Sequence, residues 1–372
     1  MAKTKDEIQS EALSTIKPLK RAGMGISMGV GKTRICLNHF RLVEKVIRKK
    51  YDRNARALVV APKKVILETW KVEAIKWDME YLIDNMDFTT YISLKKQHLD
   101  YDIVYLDECH SLLYSHESWL KEFNGNIIGA TGTPPRMEKS EKGKMIVKYC
   151  PIVYEYFIDE AVNDNILNEY AITVHLLELE HTNTMLIEKG SKKWHTSEIK
   201  NYNYWSDRIS NSNTPKERQI TSVQRMKAMQ TFPSKDDYAK RLLDQSKHKC
   251  LLFANTQKQA DKLCKHSYHS KNADSEDNMT LFKEGQITKM SCVLQLNEGA
   301  NIPHLKEGII MHAYGNNRKS AQRIGRLLRL NPNDTATIHI LCYKDTVDIK
   351  WVKSALEDLD QSKISWYDPD IF

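Results

Sequence analysis

A lysine and a hydroxyl placed directly behind two glycines form a phosphate-binding pattern, and residues 29–33 read Gly29-Val30-Gly31-Lys32-Thr33. The glycines let successive backbone N–H groups turn toward one anion, and a helix starting there adds the positive end of its dipole. Lys32 would pair with the terminal phosphates of a nucleoside triphosphate, expected to be ATP, and the Thr33 hydroxyl would hold its Mg²⁺. The strict spacing wants one more glycine six residues before the lysine, and Ile26 stands there. Downstream, an apolar run ends in Asp107-Glu108-Cys109-His110. A carboxylate at that position can reach the metal held by Thr33, and its neighbour can orient or deprotonate an attacking water. A third apolar run ends in Thr131-Gly132-Thr133-Pro134, and His110 could bridge the two or simply pack. Near the end of the chain, Gln322, Arg326 and Arg329 are spaced i, i+4, i+7 and share one helix face. Guanidinium groups there suit bidentate contact with phosphate oxygens. An arginine finger of this kind contributes roughly 10³–10⁵ in rate.

These groups need elements to hold them. Residues 57–61, 102–106 and 126–130 are short continuous apolar runs, the pattern of strands buried on both faces of a parallel sheet. Residues 6–20 and 34–50 carry helical apolar spacing. The pattern weakens from Pro134 to about Asn168, then resumes with expected strands at 172–179, 250–254, 290–296, 308–312 and 337–341. The expected fold is α/β, with two tandem lobes of mostly parallel sheet flanked by helices: lobe one over 1–160 and lobe two over 161–372. A polar stretch at 183–235 reads as an irregular or helical elaboration of lobe two. Its basic and aromatic segment Lys192–Trp205 could stack bases or simply pack.

The 372 residues are 41% hydrophobic, enough for two cores, and 56 basic against 48 acidic residues leave a net charge of +8. That excess permits a polyanionic partner without requiring one. The seven cysteines form no C-x-x-C pair, so neither a zinc site nor a disulfide framework is expected, and a reducing cytoplasm fits best. No apolar run reaches the roughly 20 residues of a membrane helix, and the charged first ten residues do not read as a secretory signal.

Taken in order, the motifs resemble those of superfamily 2 helicases and translocases, of the DEAH/DECH-box and Swi2/Snf2-like kind. Met28–Thr33 is similar to motif I in the Swi2/Snf2-like form, which also lacks the early glycine. Gln9 resembles the glutamine that reads adenine. Ala61-Pro62-Lys63-Lys64 resembles motif Ia, 90–94 motif Ib, Asp107–His110 a DECH box and 130–134 motif III. In the second half, 252–256 resembles motif IV and 297–303 motif V, with Asn301 where many relatives have Asp. The run Gln322-Arg323-Ile324-Gly325-Arg326-Leu327-Leu328-Arg329 matches motif VI, and Thr346-Val347-Asp348 is similar to a short capping segment that follows it.

The resemblance implies two RecA-like lobes and an ATPase. Gln9, Gly29, Val30, Gly31, Lys32, Thr33 and Gly299 would bind the nucleotide, and Thr33 and Asp107 the Mg²⁺. Asp107, Glu108, Gln322, Arg326 and Arg329 would act in catalysis. Pro62, Lys63, Thr90, Asn255 and Thr256 would grip nucleic-acid phosphates without reading bases. DNA is favoured over RNA, in replication, recombination or repair, with protein partners from those processes and a monomeric chain. The compactness resembles phage-encoded helicases, which would place the protein in the host cytoplasm. Three rivals share the motifs: an ATP-gated clamp or annealing or remodelling ATPase that does not unwind, an RNA helicase, and a motor acting on a polypeptide.

Overall fold

The computed structural model describes residues 2–135, 138–293, 302–313 and 334–369. The chain divides after Asn168 into two compact units.

The first unit is a sheet of six parallel strands in the order β3-β2-β4-β5-β1-β6. These are β1 (Arg21–Ile26), β2 (Ala57–Ala61), β3 (Met86–Thr90), β4 (Ile103–Asp107), β5 (Asn126–Thr131) and β6 (Ile152–Tyr156). The strands β2 and β4 are buried at every residue, which is why they read as unbroken apolar runs. Helices α1 (Lys5–Ile16), α2 (Lys32–Tyr51), α3 (Lys64–Lys76), α4 (Glu117–Glu122), α5 (Glu141–Tyr149) and α6 (Ile158–Asn163) flank them. Thr4 opens α1 through a capping box with Glu7, satisfying two otherwise unpaired N–H groups. One face of the sheet packs Leu58, Val60, Val104, Leu106 and Ile127 against Trp119, Phe123, Met145 and Tyr149.

The weak pattern at 134–168 therefore holds regular structure, including a strand that the apolar runs do not reveal. β6 is an edge strand whose residues alternate between half-buried and exposed up to Tyr156, so it lacks the continuous signature. It pairs in parallel with β1, placing that strand inside the sheet.

The second unit is a sheet of seven parallel strands, β11-β12-β10-β13-β14-β7-β15. They are β7 (Tyr170–Leu177), β10 (Cys250–Ala254), β11 (Ser267–Tyr268), β12 (Lys289–Val293), β13 (Glu307–Ile310), β14 (Ala336–Tyr343) and β15 (Ile364–Tyr367). The polar stretch forms a hairpin of β8 (Met185–Lys189) and β9 (Lys192–Thr196), followed by α7 (Glu198–Ser210) and α8 (Pro215–Met229). Gly190 supplies the positive φ of 61° at the hairpin turn. The aromatic segment is thus split between β9 and α7, and Trp194 and Tyr204 remain largely exposed. Buried Glu198 ties this elaboration down, accepting from the backbone of Glu180 at 3.0 Å and of Ser234 at 2.8 Å.

Lys235, on α9 (Pro233–Gln245), is buried in this unit beside Asp348, on α10 (Val347–Leu356), with Nζ and Oδ2 2.6 Å apart. The ammonium also meets the Leu341 carbonyl at 3.1 Å and His312 Nδ1 at 3.2 Å. Thr346 caps α10, so the segment Thr346–Asp348 joins a helix start to a buried ion pair. Among the described residues, no helix is long and apolar enough to cross a membrane.

Candidate active site

Because every strand of the first sheet is parallel, all its C-terminal ends lie along one edge. That edge carries the glycine loop after β1, Pro62 and Lys63 after β2, Thr90 on β3, Asp107 on β4 and Thr131 on β5. β4, β5 and β1 are consecutive, so the loop, the acidic pair and the threonine motif sit side by side.

Gly29 and Gly31 have φ of 92° and 105°, which a side chain would strain. A Cβ at Gly31 would also collide with Gln9 Nε2. Gly31 begins α2 without a side-chain cap, so the first N–H groups of a 20-residue helix have no side-chain acceptor. The Gln9 amide braces the loop: Nε2 donates to the Val30 carbonyl at 2.6 Å, and Oε1 accepts from Arg34 at 2.8 Å. Arg34 in turn stacks 3.5 Å from the centre of the Trp77 ring. Lys32 Nζ donates to the Ile26 carbonyl at 3.0 Å. A Cβ at Gly132 would stand 3.5 Å from Lys32 Nζ, an ordinary contact. Ser27 Oγ and Thr133 Oγ1, both beside this loop in sequence or across the sheet, are buried without a hydrogen-bond partner. An uncapped helix, two positive-φ glycines and two orphaned hydroxyls fit a bound phosphate chain.

Asp107 ends β4 with its carboxylate held at both oxygens. Oδ2 accepts from Trp70 Nε1 at 2.8 Å and Oδ1 from the Glu108 N–H at 2.9 Å. Its carbonyl accepts from the Tyr91 hydroxyl at 3.0 Å. Glu108 takes a left-handed backbone, φ 49°, which turns the chain off the strand. The buried Thr131 hydroxyl lies 2.8 Å from His110 Nδ1 and donates to Glu108 Oε2 at 3.3 Å. His110 Nδ1 is itself 3.2 Å from that oxygen, closing a triangle. Cys109 packs over Gly129, where a Cβ would come within 3.1 Å of its Sγ.

The two carboxyls are buried together and titrate apart. Burial, then the charge of Glu108, pushes Asp107 upward, to about 6. Burial also raises Glu108, but the hydrogen bond and charge of His110, with Lys32 and Thr131, more than offset it and hold Glu108 well below the usual carboxylate range. Glu108 is therefore the first of the pair to ionise, and stays charged where it could orient a water. Mg²⁺ would be held by Thr33 and Asp107; charge neutralisation at the phosphates is the chemistry it supplies.

Other expected site residues lie elsewhere. In the second unit Asn255 and Thr256 follow β10. Thr256 caps the next helix, accepting from Gln259 N at 3.1 Å, while both amide atoms of Asn255 are buried without a partner. Gly299, Gln322, Arg326 and Arg329 lie outside the described residues. Trp70 lies in no motif and Tyr91 falls in the motif Ib stretch, but the bonds of both to Asp107 escape the sequence because they join positions far apart in the chain.

Residues 234–331 match the family model described as the helicase conserved C-terminal domain. A comparison with curated proteins finds no match. Among solved structures, a fragment of a putative HsdR subunit of a type I restriction enzyme from Vibrio vulnificus YJ016 aligns with a TM-score of 0.63 at 15% identity, covering 98% of this chain and 68% of that one. The ATP-dependent type ISP restriction–modification enzyme LlaBIII, bound to DNA, aligns at 0.57 with 12% identity over 100% of this chain and 32% of that one. The Hef helicase domain of Pyrococcus furiosus aligns at 0.50 with 14% identity, over 93% and 97%. The chain has an α/β fold whose two parallel sheets match RecA-like helicase lobes.

Proposed function

We propose that the protein is an ATP-dependent nucleic-acid translocase or helicase, acting on DNA. The observation that carries this reading is the convergence of Lys32, Asp107, Glu108 and Thr131 on adjacent parallel strand ends, beside an uncapped helix. In this reading Lys32 and the loop amides hold the phosphates. Glu108, kept ionised by His110, aligns the attacking water and accepts its proton. Arg326 and Arg329 of motif VI supply the charge that offsets the γ-phosphoryl in the transition state. Pro62, Lys63 and Thr90 lie at the same sheet edge as the acidic pair, so a strand gripped there is close to the chemistry. The DNA-bound restriction–modification enzyme and the restriction subunit among the similar structures favour DNA over RNA.

Steady-state ATPase is measured with no polymer, single-stranded DNA, duplex or branched DNA, and RNA. DNA is expected to stimulate turnover most. Lys32→Ala abolishes tight ATP binding, and Arg326→Ala keeps binding while cutting turnover by at least about a hundredfold. No stimulation by any nucleic acid sinks the proposal; stimulation without strand displacement favours the clamp or duplex-translocase reading.

A further inference from the structure

We propose that Trp70 is a positioning residue, whose indole N–H fixes the Asp107 carboxylate in the orientation that receives the metal. The proposal rests on the ATPase reading above and adds a residue that no motif assigns.

Three facts carry it. First, the contact is direct: Nε1 donates to Oδ2 at 2.8 Å, and both partners are buried. Second, the indole cannot turn away. Trp70 is fully enclosed on α3, and its ring packs 5.7 Å from the ring of Tyr105 at 49°. Tyr105 lies two residues before Asp107 on β4, so both point to the same face of the sheet. Third, both carboxylate oxygens are held. With the Glu108 N–H on Oδ1, Trp70 completes a two-donor clamp, while Tyr91 holds the backbone carbonyl of the same residue. Each carboxylate oxygen accepts one hydrogen bond and keeps a second lone-pair direction for a metal or its water. Tryptophan has one polar atom, a donor, and here that donor is spent on the one acidic side chain expected to meet Mg²⁺.

Packing alone does not account for this. A phenylalanine would fill most of the same space, and the buried N–H would then be an avoidable liability. Trp119 provides the internal comparison. It is also buried in the first unit, but its Nε1 donates to the Gln97 carbonyl at 2.9 Å, away from the acidic pair. Groups that orient a metal-binding side chain typically change metal affinity about 10–100-fold when removed.

The test uses the full-length protein as Trp70→Phe and, in parallel, Trp119→Phe. Mn²⁺ is titrated into the ADP complex and followed by electron paramagnetic resonance; binding of a fluorescent ADP is measured separately in EDTA. Trp70→Phe is expected to weaken Mn²⁺ about tenfold while leaving metal-free ADP binding within about twofold. Trp119→Phe should leave both unchanged. Unaltered Mn²⁺ affinity in Trp70→Phe, or an equal loss in Trp119→Phe, overturns the proposal. A second measurement needs no variant. With indole-¹⁵N label in the wild type, one of the seven tryptophan N–H signals should move when Mg²⁺ is added to the ADP complex, and that of Trp119 should stay. Seven stationary signals would also overturn it. If the wild type binds no ADP at all, the ATP-site reading fails instead, a result distinct from either of these.

Discussion

Replacing Thr131 by valine removes one hydroxyl and leaves the side-chain volume nearly unchanged, so its effect is read without a cavity contribution. That hydroxyl is fully buried and serves three partners: it accepts from the Thr133 N–H at 3.1 Å, lies 2.8 Å from His110 Nδ1 and donates to Glu108 at 3.3 Å. Removing it orphans the Thr133 N–H, at about 1–3 kcal/mol, and takes a neutral donor from an ionised carboxylate. The bond at 3.3 Å is long, so a total near 3 kcal/mol is the reasonable sum. For a unit of this size that lowers the melting midpoint by about 6–12 °C. Turnover should fall further than stability suggests, by about 10–100-fold, because the loss of one corner frees Glu108 and His110 from their shared geometry. The assays are differential scanning calorimetry and steady-state ATPase at saturating ATP, with ATP affinity measured separately. A variant that melts and turns over like the wild type would show that the triangle carries no energy, and the coupling of the acidic pair to the threonine motif would have to be abandoned.

Gly31→Ala places a Cβ at φ 105° against Gln9, costing about 1–3 kcal/mol in backbone strain and the bond that braces Val30; nucleotide affinity measured by calorimetry should drop at least tenfold. Lys235→Met strands Asp348 in the second unit's core and should destabilise it by about 3–5 kcal/mol in urea unfolding, whereas Lys235→Met with Asp348→Leu should recover most of that. His39 is buried against the Tyr105 hydroxyl at 2.9 Å, and burial lowers it from 6.5 to about 4. The unfolded chain therefore takes the proton first: the stabilisation is complete above pH 6.5 and is lost as pH falls toward 4. At pH 5 the loss is about 2 kcal/mol, so His39→Gln should shrink the stability difference between pH 7 and pH 5 by that amount, and an unchanged difference would refute the assignment.

Legibility in the sequence followed burial. The strands β2, β4, β5 and β10 are enclosed on both faces, so residues such as Leu58-Val59-Val60 declare them without any partner in view. β6 does not, since Val153 and Glu155 face solvent at the sheet edge. The hairpin β8–β9 is hidden for a similar reason: its strands are largely exposed, and only Gly190 hints at the turn. Within the site, Lys32, Asp107 and Glu108 are readable because their chemistry requires local neighbours, a glycine turn or a strand end. Thr131 and His110 are readable by motif, though their triangle with Glu108 needs the sheet order to exist. Trp70 is not readable at all, and Tyr91 is readable only as part of motif Ib, not as a partner of Asp107. Each looks like a core aromatic, and only the parallel alignment of β2, β3 and β4 brings α3 and the turn after Thr90 onto Asp107.

The seven buried thiols have a practical consequence. Cys36, Cys109 and Cys150 lie in the first unit and Cys250, Cys264, Cys292 and Cys342 in the second, and none is accessible in the folded chain. Alkylation must therefore wait for the protein to open, and each opening is recorded permanently as added mass. Peptide mapping after timed exposure to iodoacetamide would assign those masses to one unit or the other. The chain thus carries its own clock for unfolding, with a separate dial for each half.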